Sequence, residues 1–166
     1  MSQEPGYPWE VAQLGATAPP QVFEVTAENI TRYCRAAGYE NLAYTNQAAA
    51  REIGLPGIVA PPAMLFSYAP LRTVELMAAK GGVAPQETPQ NPEPLTFVRT
   101  AIDFQGVMVA PGDIISSVTS VHDQLQREDA QFITFRVVAH NQRGELVAEY
   151  LYTCQWPNPT RALRTA

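Results

Sequence analysis

The chain has 166 residues, 46% of them hydrophobic and 16% charged, which is enough for one domain with a substantial buried core. The net charge of -5, with the Lys and Arg residues scattered along the chain, argues against a surface for nucleic acids or anionic membranes. Residues 1–7 form no basic segment followed by an apolar run, and no stretch reaches about 18 consecutive apolar residues. We therefore expect a cytoplasmic protein without a signal peptide or a membrane span.

The two cysteines do not indicate a disulfide or a metal site. Cys34 falls in a predicted helix and Cys154 in a predicted strand, without the spacing of zinc ligands. The chain also lacks a Gly-x-Gly-x-x-Gly, a Walker loop and a Gly-x-Ser-x-Gly motif. The sequence therefore predicts no metal and no cofactor.

The N-terminal part predicts an extended lead-in, a strand and a helix. Residues 1–20 contain four prolines, and the residues from Gln21 to Val25 resemble a short strand. Thr26 is a typical helix cap and Gly38 a typical helix stop. Between them, apolar residues recur at helical spacing and predict one buried stripe, formed by Ile30, Tyr33, Cys34 and Ala37.

Two further helices follow in the pattern. The Ala-rich stretch from Thr45 to Ile53 is short and closed by a glycine and a proline. From Pro62 to Lys80 the apolar residues occupy every face, which is typical of a buried helix. Pro62 suits the first helical position, Pro70 predicts a kink, and two glycines after Lys80 predict the end of the helix.

The second half of the chain predicts an antiparallel sheet. Residues 83–94 are polar and proline-rich, which is typical of a surface loop. Strands rich in β-branched and aromatic residues follow without intervening helices, so they should pair antiparallel. They run from Leu95 to Phe104, Ile114 to Leu125, Gln131 to His140 and Leu146 to Trp156, with a hairpin turn at residues 141–144. His122 and His140 lie in or beside these strands and are interpreted as hairpin-edge residues.

Several short segments, in this order and spacing, resemble one protein family. They are Ala36 to Tyr44, Ile58-Val59-Ala60-Pro61-Pro62, Pro111-Gly112-Asp113 and Asn141 to Glu145. Over roughly residues 9 to 157 the chain resembles the MaoC-like (R)-specific enoyl-CoA hydratases and 3-hydroxyacyl dehydratases. The branch that it resembles most is that of the fatty-acid-synthase-type dehydratase N-terminal domains.

The resemblance implies an α+β hotdog fold, in which an antiparallel sheet of about five or six strands wraps around the helix at residues 62–80. It implies a single domain over residues 1–166, with the lead-in at 1–20 and a tail at 158–166. A cystatin-like cone is the alternative fold. The helix that is apolar on all faces favours the hotdog, because the helix of a cone leaves one face to solvent.

The resemblance also shows which catalytic groups this chain lacks. In the family, an aspartate and a histidine five residues apart add water to a 2-enoyl thioester, and a backbone N–H at the start of the central helix stabilises the carbonyl oxygen. Tyr39 occupies the aspartate position and Tyr44 the histidine position. A phenol with a pKa of about 10 is a proton donor and a poor base at pH 7. Pro62, near the position of the family's N–H donor, has no N–H.

Other residues of this region remain candidates for a site. Glu40 is the one carboxylate between Ala36 and Tyr44, so the candidate catalytic residues are Tyr39, Glu40 and Tyr44. Side chains that are small, or able to hydrogen-bond, are candidates for binding a substrate. They are Asn41, Asn46, Ala60, Pro61, Pro62 and Ser67.

Three functions remain open from the sequence. The first is a subunit that binds acyl-CoA or acyl-carrier-protein thioesters, as the non-catalytic partner of a dyad-bearing hotdog subunit. The second is an enzyme of altered chemistry, an isomerase, cyclase or divergent hydratase, which uses Tyr39, Glu40 or Tyr44. The third is a homodimer that binds a small apolar ligand without catalysis. By the resemblance, the chain pairs through sheet edges into a homodimer or heterodimer.

Overall fold

The fold is a curved sheet with helices packed on one face. The computed structural model describes residue 9, residues 12–82 and residues 95–157. The strands are β1 Gln21–Glu24, β2 Thr96–Phe104, β3 Ile114–Arg127, β4 Ala130–His140 and β5 Leu146–Trp156. The α-helices are α1 Ala27–Ala37, α2 Gln47–Glu52, α3 Leu65–Tyr68 and α4 Thr73–Ala79, and 3-10 helices span Leu42–Tyr44 and Pro62–Met64. The expected loop at 83–94 and the tail at 158–166 lie outside the described residues.

The five strands form one antiparallel sheet in the order β1-β3-β4-β5-β2. This confirms the predicted strands and their pairing. Alternation along β4 places Ile133, Phe135, Val137 and Ala139 in the core, as the period of two predicts. The turn between β4 and β5 is closed by Asn141, whose side-chain oxygen accepts the N–H groups of Arg143 and Glu145.

Helix α1 begins and ends where its sequence predicts. Thr26 Oγ1 accepts the N–H of Asn29 at 3.0 Å, and Asn29 Oδ1 accepts the N–H of Thr26 at 3.0 Å. This reciprocal cap satisfies two N–H groups that a helix start would otherwise leave unpaired. At the other end Gly38 has φ 69°, a left-handed conformation that glycine adopts without steric cost.

The central helix differs from the prediction. One continuous, kinked helix was expected from Pro62 to Lys80, but the structure contains a 3-10 turn, then α3, then α4, with residues 69–72 non-helical. Pro70 explains the break, because proline lacks an N–H and also disfavours a helical conformation in the preceding residue. Burial on every face is also wrong, because Phe66 and Val74 are each 43% exposed.

This break divides the core into two clusters. One joins α1 and α3 to the sheet, and its largest members are Ile30, Met64, Leu65, Tyr68, Ile115 and Tyr150. The other joins α4 and the lead-in to the sheet, and its largest members are Leu76, Met77, Ile133, Phe135 and Trp156. Tyr150 O–H donates to the carbonyl of Ala69 at 2.8 Å, which fixes the end of α3 to β5.

The described part of the lead-in lies along β3. Gly15 N–H donates to Val121 O, Val121 N–H donates to Ala16 O, and Ala18 N–H donates to Thr119 O, each at 2.9 Å. Both cysteines are buried and unpaired. Among the described helices, none has the length and apolar character needed to cross a membrane.

Candidate functional site

A cavity of about 330 Å³ lies beside the 3-10 helix at Pro62–Met64, against the segment that follows β2. Its walls come from two distant parts of the chain. They are formed by Asn41, Ala43, Tyr44, Ile53, Leu55, Val59, Ala60, Pro62, Tyr68, Phe104, Gly106, Val107, Met108 and Val109.

Two asparagines shape the wall that follows α1. Asn41 caps the 3-10 helix at Leu42–Tyr44, because its Oδ1 accepts the N–H of Ala43 at 3.0 Å. Asn46 caps α2, accepting the N–H of Ala48 at 2.9 Å and that of Ala49 at 3.1 Å. Asparagine is a favoured cap because its short side chain reaches the free N–H groups of a helix start. The side-chain oxygens of both residues are therefore held by the backbone.

Two hydrogen bonds join the walls of the cavity. Gln47 Oε1 accepts the N–H of Ile58 at 3.2 Å, which connects α2 to the segment before Pro61. Ala60 N–H donates to Val109 O at 2.7 Å, which connects that segment to the residues after β2. The N–H of Ala60 is consequently used inside the protein.

The chemistry of the lining is apolar. It includes no Asp, Glu, His, Lys, Arg or Cys among the described residues. Its titratable members are Tyr44, which is half-buried, and Tyr68, which is 2% exposed. Burial raises the pKa of the Tyr68 hydroxyl to about 12, because an ionised phenolate would lose its hydration. This cavity by itself therefore offers no side chain that is a base at neutral pH.

Four of the residues expected at a site line this cavity: Asn41, Tyr44, Ala60 and Pro62. Tyr39, in the position of the family's aspartate, does not line it. Its ring packs edge-on against that of Tyr44, with centroids 5.5 Å apart. The two tyrosines in the dyad positions are therefore brought together, one in the cavity wall and one behind it.

The other expected residues do not line the cavity. Glu40 and Ser67 are exposed. Asn46 is used as the cap of α2. Pro61 is buried at the start of the 3-10 helix and, like Pro62, brings no N–H to that helix start.

Sequence reasoning did not assign most of the remaining wall. The segment Val107-Met108-Val109, for example, carries no motif that points to a site. Met108 is 51% exposed although it lies in an apolar run. The signal for this wall in the sequence was an apolar run between Gly106 and Pro111 that continues no strand. Gly106 reverses the chain there with φ 74°.

Polar groups away from the cavity have structural roles. Asp113 is buried and accepts the N–H of Ala110 at 2.8 Å, while Gln142 Nε2 donates to it at 3.1 Å. Arg143 lies 3.7 Å from the same carboxylate. Within residues 9, 12–82 and 95–157, no three His, Cys, Asp or Glu side chains come together in a way that suits a metal ion.

Comparison with known proteins identifies the family. Residues 12–150 match the family described as FAS1-like, dehydratase domain region. The chain belongs to this family. The resemblance to MaoC-like dehydratases is thereby confirmed.

One relative is the 3-oxo-4,17-pregnadiene-20-carboxyl-CoA hydratase alpha subunit of Mycobacterium tuberculosis. It is 40% identical over 86 residues, which are 49% of this chain and 25% of that protein. The matches span 25% and 37% of the lengths of two curated relatives, so this chain corresponds to only a part of them.

Solved structures confirm the fold. The ChsH1-ChsH2 complex of M. tuberculosis is similar with a TM-score of 0.67 and 26% identity, over 91% of this chain and 95% of that one. The HadBC (3R-hydroxyacyl-ACP dehydratase) complex of M. tuberculosis is similar with a TM-score of 0.69 and 22% identity, over 86% of this chain and 96% of that one. The α+β hotdog fold is therefore confirmed, and the cystatin-like alternative is wrong.

Proposed function

We propose that this chain is the non-catalytic, acyl-thioester-binding member of a pair of hotdog subunits. It contributes a cavity for the acyl group, and a second hotdog subunit contributes the acid-base dyad. The observation that carries this proposal is the cavity lining, which has no carboxylate or imidazole among the described residues. Hydration of an enoyl thioester needs a group that moves a proton near neutral pH, and neither tyrosine of the lining suits that task.

The size and character of the cavity support an acyl ligand. At about 330 Å³ it falls in the range of small-molecule sites, and apolar walls favour an apolar chain. The M. tuberculosis relative is named as a hydratase of a carboxyl-CoA compound, and the HadBC structure as a dehydratase of an acyl carrier protein substrate. Both names describe thioester chemistry, which supports CoA or acyl carrier protein as the carrier.

The edge of the sheet supports a partner subunit. All nine residues of β2 are exposed in the described structure, including the apolar Phe97, Val98, Ile102 and Phe104. A long apolar edge strand pairs readily with another chain because its backbone groups are unsatisfied on one side. Phe104 also lines the cavity, so a subunit at this edge would reach the ligand. The ChsH1-ChsH2 and HadBC structures are complexes of two subunits.

The first experiment separates binding from turnover. The purified chain is titrated with saturated acyl-CoA compounds of increasing length by calorimetry, and hydration of the matching 2-enoyl-CoA compounds is followed by loss of absorbance. We expect binding without turnover. Ala60→Phe fills the cavity and should abolish measurable binding, whereas Ala63→Phe places the same ring at an exposed position outside the lining and should bind normally.

Turnover by the chain alone would contradict the non-catalytic assignment. It would favour the enzyme of altered chemistry, for which the position of Tyr44 in the cavity wall is the supporting observation. Loss of that activity in Tyr39→Phe, Tyr44→Phe or Glu40→Gln would then identify the group involved. A stable homodimer in native mass spectrometry that binds ligand, and gains no activity from any hotdog subunit that co-purifies with it, would favour the third function.

A further inference from the structure

Two buried tyrosines of the core differ in how their hydroxyl groups are satisfied. Tyr150 is 1% exposed and donates to the carbonyl of Ala69 at 2.8 Å. Tyr68 is 2% exposed, yet its hydroxyl has no hydrogen-bond partner among residues 9, 12–82 and 95–157. The Tyr68 oxygen is also not sealed inside the protein, and the residue lines the cavity.

The hydroxyl oxygen of Tyr68 is accessible although the residue is almost fully buried, so its missing partner calls for a physical reason. Buried tyrosine hydroxyls usually have a partner, because removal from water without a new hydrogen bond costs free energy. Tyr150 follows that rule within the chain. Among the described residues Tyr68 has no such partner, so its hydroxyl is available to a ligand or a water molecule in the cavity.

The protonation of Tyr68 makes it a donor. Desolvation raises the pKa of its hydroxyl to about 12, so the proton stays on the oxygen at any pH near neutrality. A phenol in that state donates one hydrogen bond and serves poorly as a base. The partner that it lacks is therefore an acceptor oxygen.

Other donors around the cavity are less suited to the same task. Ala60 N–H is used by Val109 O, and Pro62 has no N–H. Asn41 and Tyr44 carry donors, but Asn41 is exposed and Tyr44 is half-buried, so water competes for them. Tyr68 is thus a side-chain donor of the lining whose residue is only 2% exposed.

We propose that the Tyr68 hydroxyl holds the ligand by donating a hydrogen bond to the thioester carbonyl oxygen. This rests on the proposed function, because it takes an acyl thioester as the occupant of the cavity. The carbonyl is the acceptor that every acyl thioester carries next to its apolar chain. Tyr68 is consequently a ligand-positioning residue, which the dyad positions Tyr39 and Tyr44 do not reveal.

The experiment compares two ligands that differ at one group. Affinities of the purified chain are measured for a saturated acyl-CoA and for the S-alkyl-CoA thioether of the same length, in which CH₂ replaces the carbonyl. We expect the wild-type chain to prefer the thioester about 3- to 10-fold, the effect of one net hydrogen bond. This preference needs no variant and so does not depend on whether a variant folds.

Two phenylalanine variants locate the hydrogen bond. Tyr68→Phe should lose the preference by binding the thioester more weakly, while its affinity for the thioether is unchanged. Its thermal midpoint should not fall, because no hydrogen bond within the chain is lost. Tyr150→Phe should show the opposite pattern, with a lower midpoint and an intact preference, because the carbonyl of Ala69 loses its donor.

Each other outcome overturns the inference. Equal affinity of the wild-type chain for both ligands means that no donor of the protein forms a hydrogen bond with the carbonyl and that water satisfies the Tyr68 hydroxyl. A Tyr68→Phe variant that weakens both ligands equally would show a packing role alone. Binding of neither ligand by the wild-type chain would overturn the inference together with the proposed function, which is distinguishable from the first two outcomes.

Discussion

The two edge strands of the sheet, β1 and β2, differ in length and in exposure. At one edge, β1 is only four residues long, and the lead-in before Pro19 and Pro20 also runs along β3; the two prolines offer no N–H for pairing. At the other edge, β2 has nine residues and all are exposed. Its residues Ile102 and Phe104 stand in register with the buried Tyr150 and Ala148, but they are 38% and 46% exposed.

This difference shows which side of the fold a single chain completes. The covered edge lies beside the buried Asp113, whose carboxylate has partners within the chain. The open edge continues the core face into solvent and ends beside the cavity, where Tyr68 lacks a partner among the described residues. The open side therefore has the features expected of a surface that is completed by a second subunit and by a ligand.

The largest expected effect tests the burial of the two edges. Ile115→Ala, in β3 at the covered edge, should lower the free energy of unfolding by about 2 to 5 kcal/mol, because it leaves a hole in the core. Ile102→Ala at the open edge should cost less than about 1 kcal/mol, because that side chain is 38% exposed. Urea denaturation of the isolated chain measures both values. Equal costs would show that the open edge is already covered in solution.

The second prediction tests what the open edge binds. Ile102→Lys should weaken association about tenfold or more, since a charge replaces an apolar side chain at the centre of the interface. Val22→Lys, at an exposed position of β1, is the matched control and should leave association unchanged. Sedimentation velocity of the chain, alone and with a co-purified hotdog subunit, measures the effect. Loss of association in the Val22 variant, and not in the Ile102 variant, would place the interface at β1 instead of β2.

The smallest effect concerns pH and the open side. The pKa of Tyr68 is raised by burial to about 12, so folding opposes its ionisation. The stability that the folded state gains by burying a neutral Tyr68 is fully present below pH 10, the pKa of an unfolded tyrosine. It is lost as the pH rises to about 12. At pH 11 the free energy of unfolding should have fallen by about 1 kcal/mol more in the wild-type chain than in Tyr68→Phe. Urea denaturation at pH 8 and pH 11 measures the difference, and parallel losses in both proteins would contradict it.

Much of the fold could be predicted locally. Alternation along β4 and β5, the cap at Thr26 and the stop at Gly38 depend on neighbouring residues, so the sequence is sufficient to place them. The prediction of one continuous central helix was wrong because it gave more weight to the apolar content than to Pro70. That proline removes a backbone hydrogen bond and disfavours a helical conformation at the residue before it, which is enough to end α3.

The candidate site was predictable only on one side. Asn41, Tyr44, Ala60 and Pro62 belong to one stretch of sequence, and their resemblance to a family directed attention to them. The opposite wall comes from Phe104 and the three residues 107–109, which are far away in sequence and carry no motif.

The sequence by itself determined the family, the strand pattern and the phenol groups at positions 39 and 44, because residue identity alone sets what a side chain can donate or accept. Only the tertiary structure decided that Tyr68 is a buried donor without a partner in the described chain and that β2 is left uncovered. Burial and hydrogen-bond satisfaction depend on which distant residues pack together, and a pattern of neighbours does not contain that information.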